Sequence, residues 1–277
     1  MPDILTSAGT SPPAVPAASP QPLLELRSVA KRFGAVQALA GVDLQVRPGE
    51  VVALVGDNGA GKSTVVKTIA GVHQPDTGTI LVDGQAARIT TPGAATSLGI
   101  ATVYQDLALC ENLDVTANLF LGKERSKPPL FGRLRRLSDD EMQAQAVQVL
   151  AGLAVTLPAL GLPVASLSGG QRQSVAVARA VLWGSRLVLL DEPTAALGVE
   201  QTQLVLNLIG RLRQNGLGVL VISHNLADVF EVADRIIVLR LGKVAGTYDT
   251  RTTDVDTIVS AITGGHKLRP RVGAPPV

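Results

Sequence analysis

The chain has 277 residues and a mass of 28.7 kDa, with 46% apolar and 17% charged residues, a balance that excludes a disordered or collagen-like chain. Its 25 Lys and Arg against 23 Asp and Glu leave a formal charge of +2, too small to mark a polyanion partner by field alone, and 3% aromatic residues cannot furnish a base-stacking surface for nucleic acid. One cysteine, Cys110, and three histidines exclude an intrachain disulfide framework and a Cys/His zinc cluster, and they fit a reducing, cytoplasmic compartment.

Residues 1–21 are rich in Pro, Ala and Ser, without the basic start and apolar stretch of a secretory signal, and read as a disordered leader. Alternating apolar pieces at 24–26, 42–46 and 79–82 predict an antiparallel flap. Unbroken apolar runs at 51–55, 187–190 and 219–222 predict parallel strands buried on both faces. Helical patterns cover 65–70, stopped by Gly71, and 201–215, where Leu204, Leu208 and Leu212 form one stripe and Gly216 supplies a left-handed cap. From 94 to 166 the periodicity is helical; Ser138 and Glu141 predict a capping box ahead of Met142, Ala146, Leu150 and Leu153. Strand and helix alternate, which predicts an α/β domain over 22–263 with a helical lobe at about 94–166, followed by a loose tail at 264–277. No stretch supplies the roughly 18 uninterrupted apolar residues of a membrane helix; residues 149–165 come nearest and are broken by Pro158 and Pro163. Any membrane role is therefore expected to be peripheral.

The most specific segment is Gly56-Asp57-Asn58-Gly59-Ala60-Gly61-Lys62-Ser63-Thr64, which follows an apolar strand and opens a helix. It fits G-x-x-x-x-G-K-[ST]: glycines let successive N–H groups converge on phosphate oxygens, Lys62 reaches the β and γ phosphates, and the Ser63 hydroxyl serves Mg²⁺. The helix presents its positive N-terminus to the same anion. Further on, Leu187-Val188-Leu189-Leu190 delivers Asp191 and Glu192 to a strand's C-terminal end. Isolated, this pair is a surface turn before Pro193. Beside a phosphate loop, Asp191 orients Mg²⁺ and Glu192 polarises the attacking water as general base.

Between these elements stands Leu167-Ser168-Gly169-Gly170-Gln171. There the chain resembles the ATP-binding cassette (ABC) family, whose signature is LSGGQ, and the resemblance covers nearly all of residues 23–246. It implies an α/β P-loop fold of ABC type: a RecA-like parallel-sheet core, an antiparallel β subdomain and an inserted α-helical subdomain. It also implies that Phe33 stacks on adenine, that Gln105 senses Mg²⁺, nucleotide and the membrane partner, and that His224 contacts the γ-phosphate. Two copies are then expected to sandwich ATP, with Ser168, Gly169, Gly170 and Gln171 of one covering the nucleotide held by the other.

One departure stands out. The family's D-loop ends in Asp, whereas this chain reads Ala195-Ala196-Leu197-Gly198. That variant, residues 99–109 and Ile222-Ser223-His224-Asn225 are similar to cassettes of ribose-, xylose- and fructose-type sugar importers. The resemblance thus implies an ATPase at the cytoplasmic face of the membrane that powers monosaccharide import through separate transmembrane permease subunits, fed indirectly by a periplasmic solute-binding protein. The alternatives are a soluble cassette ATPase acting on nucleic acid or ribosomes, and a nucleotide-gated regulatory subunit, suggested by Gly198. Against the first stand the lack of sustained heptads between Lys62 and Ser168 and the single phosphate loop, so no nucleic-acid partner is expected. The basic segment 123–136, with Lys123, Arg125, Lys127, Arg133, Arg135 and Arg136 against Glu124, is read as a solvated loop.

Overall fold

The computed structural model describes residues 21–126 and 137–265. The leader before Gln21, the tail after Gly265 and the basic residues Lys127, Arg133, Arg135 and Arg136 lie outside the described residues.

Four strands form an antiparallel sheet: β1 (Leu24–Phe33), β2 (Val36–Val46), β4 (Thr77–Val82) and β5 (Gln85–Ala86), in the order β2-β1-β4-β5. Six form the second sheet: β3 (Val51–Val55), β6 (Ile100–Val103), β7 (Leu187–Asp191), β8 (Gly218–Ile222), β9 (Arg235–Arg240) and β10 (Lys243–Asp249). Their order is β10-β9-β3-β8-β7-β6, with β9, β3, β8, β7 and β6 parallel and β10 antiparallel at one edge. The expected flap and the expected parallel strands are both present.

The apolar runs have a direct cause. Val51, Ala53 and Val55 face one core with Val188, Leu190, Val219 and Val221, while Val52 and Leu54 face a second with Leu187, Leu189, Leu220 and Ile222. Successive side chains of a strand point to opposite faces, so a strand covered on both sides must be apolar at every position. The second core is closed by the antiparallel sheet and by α1 (Lys62–Ile69), through Leu24, Leu26, Val65 and Ile69. The first is closed by α3 (Val115–Phe120), α4 (Asp139–Gly152), α5 (Gly169–Leu182) and α6 (Val199–Gln214), with α7 (Leu226–Val232) and α8 (Val255–Thr263) completing that side.

Three details differ from the sequence expectation. Within 94–166, where helical periodicity was expected, only the tail of the short helix α2 (Pro92–Ser97) precedes β6, which pairs with β7 in the parallel sheet. On α6 the buried residues are Val205, Leu206, Leu208, Ile209 and Leu212, whereas Leu204 is 52% exposed. Residues spaced by four drift about 40° around a helix at each step, so a stripe centred near Leu208 and Leu212 leaves Leu204 at its margin. Ser138 does occupy the N-cap of α4, but its side chain makes no capping bond. Its ψ of 70° is not the extended N-cap conformation; its N–H donates to the Arg125 carbonyl at 2.9 Å, and Asp139, Asp140 and Glu141 complement the helix dipole instead. The capping box falls at α5: Gln171 N–H donates to Ser168 Oγ at 3.3 Å and Ser168 N–H to Gln171 Oε1 at 2.9 Å.

Candidate nucleotide site

The phosphate loop joins β3, in the middle of the parallel sheet, to α1. Gly56 has φ of 152°, and a Cβ there would strike the Leu239 carbonyl oxygen; Gly61 has φ of 107°, and its Cβ would lie 2.6 Å from the Ala38 carbonyl oxygen. Only glycine fits either position. Asp57, Asn58 and Gly59 remain exposed at the crest, with Ala60 N–H donating to the Asp57 carbonyl at 3.1 Å. Lys62, 9% exposed, folds back over the loop and donates from Nζ to the carbonyls of Gly56 (2.6 Å) and Asp57 (3.1 Å). Ser63, exposed, and Thr64 follow in the first turn of α1, beside the unpaired amides of its N-terminus.

Asp191 ends β7, one strand removed from β3 across β8. Burial pushes its carboxyl above the usual range, and the charge of Glu192 pushes the same way; the ammonium groups of Lys67 and Lys62 pull it down. A cation at this carboxylate would relieve both causes. Glu192 adopts a left-handed φ of 52°, which turns the chain so that its N–H donates to the Ile222 carbonyl at 2.9 Å. Its carboxylate Oε2 lies 2.8 Å from His224 Nδ1; the Glu192 side chain is 19% exposed and that of His224 72%. With Nδ1 turned to the carboxylate, the ring leaves its second polar nitrogen, Nε2, for a further partner. Glu192 and His224, inferred separately from the sequence, are thus bonded partners.

Gln105 is exposed just beyond β6, at the same C-terminal edge of the sheet as Asp191. The loop after it is tied down by residues the sequence reading did not single out. Arg179 of α5 donates to the carbonyls of Leu107 and Ala108, both at 2.9 Å, and burial lowers its pKa from the usual value. Asn118 of α3, fully buried, accepts from Cys110 N–H at 2.7 Å and donates to the carbonyls of Cys110, Leu113 and Asp114. The available signal was an Arg within the Val- and Ala-rich stretch 175–181 of α5 and an Asn inside the apolar α3. A cavity of about 300 Å³ opens beside this loop, lined by Tyr104, Leu107, Leu121, Lys123, Arg179 and Trp183; the Lys123 ammonium lies 4.5 Å from the Trp183 ring centroid.

Ser168, Gly169, Gly170 and Gln171 form the entrance to α5, with Gly170 buried against Gln201. The turn after Glu192 is anchored by Thr194 Oγ1, which donates to Asp228 Oδ2 at 2.6 Å. Gly198 occupies the N-cap of α6 in an extended conformation, without a side-chain cap. Phe33 ends β1, 42% exposed.

A central parallel strand running through a glycine loop into a helix, with two carboxylates at the end of a nearby strand, defines a P-loop nucleoside-triphosphate-binding protein. The profile of the ABC transporter family matches residues 39–195, more than half of the chain. The chain belongs to the ABC transporter family. It is 46% identical over 241 residues to a xylose/arabinose import ATP-binding protein of Sulfolobus acidocaldarius, covering 87% of this chain and 94% of that one. It is 44% identical over 246 residues to a fructose import ATP-binding protein of Rhizobium meliloti, covering 88% and 95%. A ribose import ATP-binding protein of Escherichia coli O157:H7 is 42% identical over 243 residues, but the match spans 88% of this chain and 47% of that protein. The fold is shared with the ADP conformation of an ATP-binding cassette of an ABC transporter (TM-score 0.74, 23% identity, 88% and 96% coverage). It is shared also with the dimeric structure of a bacterial ABC transporter cassette (TM-score 0.68, 26% identity, 83% and 100% coverage).

Proposed function

We propose that this chain is the ATP-hydrolysing subunit of a monosaccharide importer, acting as a pair of copies at the cytoplasmic face of the membrane on separate permease subunits. The observation that carries hydrolysis is the Glu192–His224 couple held at 2.8 Å. The sugar class is supported by the relatives named above, all of them sugar import ATP-binding proteins. No helix among the described residues is long and apolar enough to cross a membrane; in this reading the transport path is supplied by the permease subunits.

In this reading Phe33 stacks on adenine, the amides of residues 56–64 surround the phosphates and Lys62 exchanges its carbonyl partners for β and γ phosphate oxygens. The donor set fits Mg²⁺, which takes one or two carboxylates together with substrate phosphates rather than an all-protein cage. The hydroxyl of Ser63, the amide of Gln105 and the carboxylate of Asp191 are the groups that would hold the ion. Bound there, Mg²⁺ supplies positive charge against the phosphates. Glu192 takes the proton of the attacking water, and His224 orients that carboxylate through Nδ1 while its outer nitrogen faces the γ-phosphate. Ser168, Gly169, Gly170 and Gln171 of a second copy complete the site, so cleavage of the γ-phosphate removes the bonds that hold the pair together. The permease contact falls at the cavity beside Gln105, because Arg179 ties its lining to α5. A periplasmic solute-binding protein delivers cargo to the permease and does not touch this chain.

The test is reconstitution with a monosaccharide permease in proteoliposomes. The expected result is permease-stimulated ATP hydrolysis with accumulation of labelled sugar; MgATP binding without association or stimulation overturns the assignment.

A further inference from the structure

Phe33 stands at the end of β1, beside a two-residue turn to Val36, which is 65% exposed. A large ring at a hairpin tip, 42% exposed, is held in one rotamer only as far as its contacts fix it. Two contacts restrain it. The ring of His73 meets that of Phe33 with centroids 5.0 Å apart and planes at 69°, an edge-to-face arrangement, and the Lys31 ammonium lies 5.5 Å from the Phe33 centroid.

Both restraints are themselves fixed. Lys31 Nζ donates to Asp76 Oδ1 at 2.8 Å, and the other oxygen of Asp76 accepts from Arg32 N–H at 2.7 Å. Asp76 N–H donates to the Ala30 carbonyl at 2.9 Å, stitching the segment that contains His73 to β1. At its other end this segment leaves α1 through Gly71, and the His73 N–H donates to the Lys67 carbonyl at 3.1 Å. The segment leaving the helix whose first turn carries Lys62 and Ser63 therefore brings His73 onto the Phe33 ring.

We propose that His73 is a positioning residue for base recognition: it locks the Phe33 ring at a fixed distance from the phosphate loop, so that adenine meets a platform already in place. The inference rests on the reading of Phe33 as the adenine platform. An unrestrained ring must give up rotamer freedom when a base stacks on it, and a ring held in advance does not. His73 touches no nucleotide; it acts through Phe33.

The experiment is titration of the full-length chain, and of its His73→Ala, His73→Phe and Phe33→Ala variants, with Mg²⁺-ATP and with Mg²⁺-tripolyphosphate, which lacks a base. An edge-to-face pair is worth enough to predict that His73→Ala weakens ATP binding by roughly threefold to tenfold. Binding of tripolyphosphate is unchanged, and His73→Phe restores most of the ATP affinity. Phe33→Ala is expected to weaken ATP more strongly, again without effect on tripolyphosphate. If Phe33→Ala leaves ATP binding intact, the platform reading itself fails. If Phe33→Ala weakens ATP but His73→Ala does not, the platform stands and the brace is wrong. Equal weakening of both ligands by His73→Ala would assign His73 to the integrity of the phosphate helix and overturn the proposal.

Discussion

Replacing Glu192 by Gln isolates the proposed proton transfer from everything else the residue does. The substitution keeps the side-chain volume, and Gln tolerates the left-handed φ of 52° no worse than Glu. The contact with His224 Nδ1, 2.8 Å in the native protein, persists as a neutral amide–imidazole hydrogen bond. What disappears is the proton acceptor. A positioned general base contributes about 10² to 10⁴ in rate, or roughly 3 to 5 kcal/mol of barrier. Turnover under saturating MgATP, followed by phosphate release, is therefore expected to fall at least a hundredfold. Removing one negative charge beside the phosphates cannot weaken ATP, so the dissociation constant stays level or drops. With hydrolysis stopped, size-exclusion chromatography with light scattering in MgATP shows a dimer that the native protein, turning over, does not accumulate. A loss of less than tenfold places the base elsewhere, and a variant that stays monomeric at saturating MgATP refutes the shared site.

Asp191 contributes a pH dependence of definite sign. Its carboxyl is raised by burial and by Glu192, so the folded protein binds this proton more tightly than the unfolded chain, and the contribution of Asp191 to fold stability declines as pH rises from the ordinary aspartate range through the raised value. Thermal unfolding without Mg²⁺ should show Asp191→Asn more stable than the native chain at neutral pH and converging with it in acid; a lower melting temperature at neutral pH contradicts the assigned cause. Asn118→Leu strands the Cys110 N–H and takes one of two donors from the carbonyls of Cys110, Leu113 and Asp114, and should cost about 1 to 3 kcal/mol in urea unfolding, with a loss under 0.5 kcal/mol indicating that the 110–118 turn does not depend on it. Gly56→Ala forces a methyl onto the Leu239 carbonyl, and fluorescence titration should show MgATP affinity reduced at least tenfold; native affinity would mean that the loop can shift without loss.

The parts of the fold visible in the sequence are those encoded by local pattern. The double-sided strands β3, β7 and β8 announce themselves as unbroken Val and Leu runs, and the phosphate loop as a strand–glycine–helix junction. β6 escaped notice because four residues with buried ends and half-buried Ala101 and Thr102 carry no run, and α2 precedes it with helical character. The links that assemble the site were invisible for a different reason. Glu192 and His224 are 32 residues apart, and Arg179 reaches back 71 and 72 residues to its carbonyls, so each bond exists only once the sheet has ordered its strands.

The strand order has a mechanical corollary. β3, which ends in the phosphate loop, is bonded on both sides, to β9 and β8, whereas β6, which leads to Gln105, is bonded on one side alone. Stiffness therefore declines from the interior of the sheet to its rim. In the proposed reading the loop that grips the triphosphate stands on the strand paired on both sides, while Gln105, proposed to report to the permease, follows the strand at the rim and can shift by small amounts without disturbing that grip.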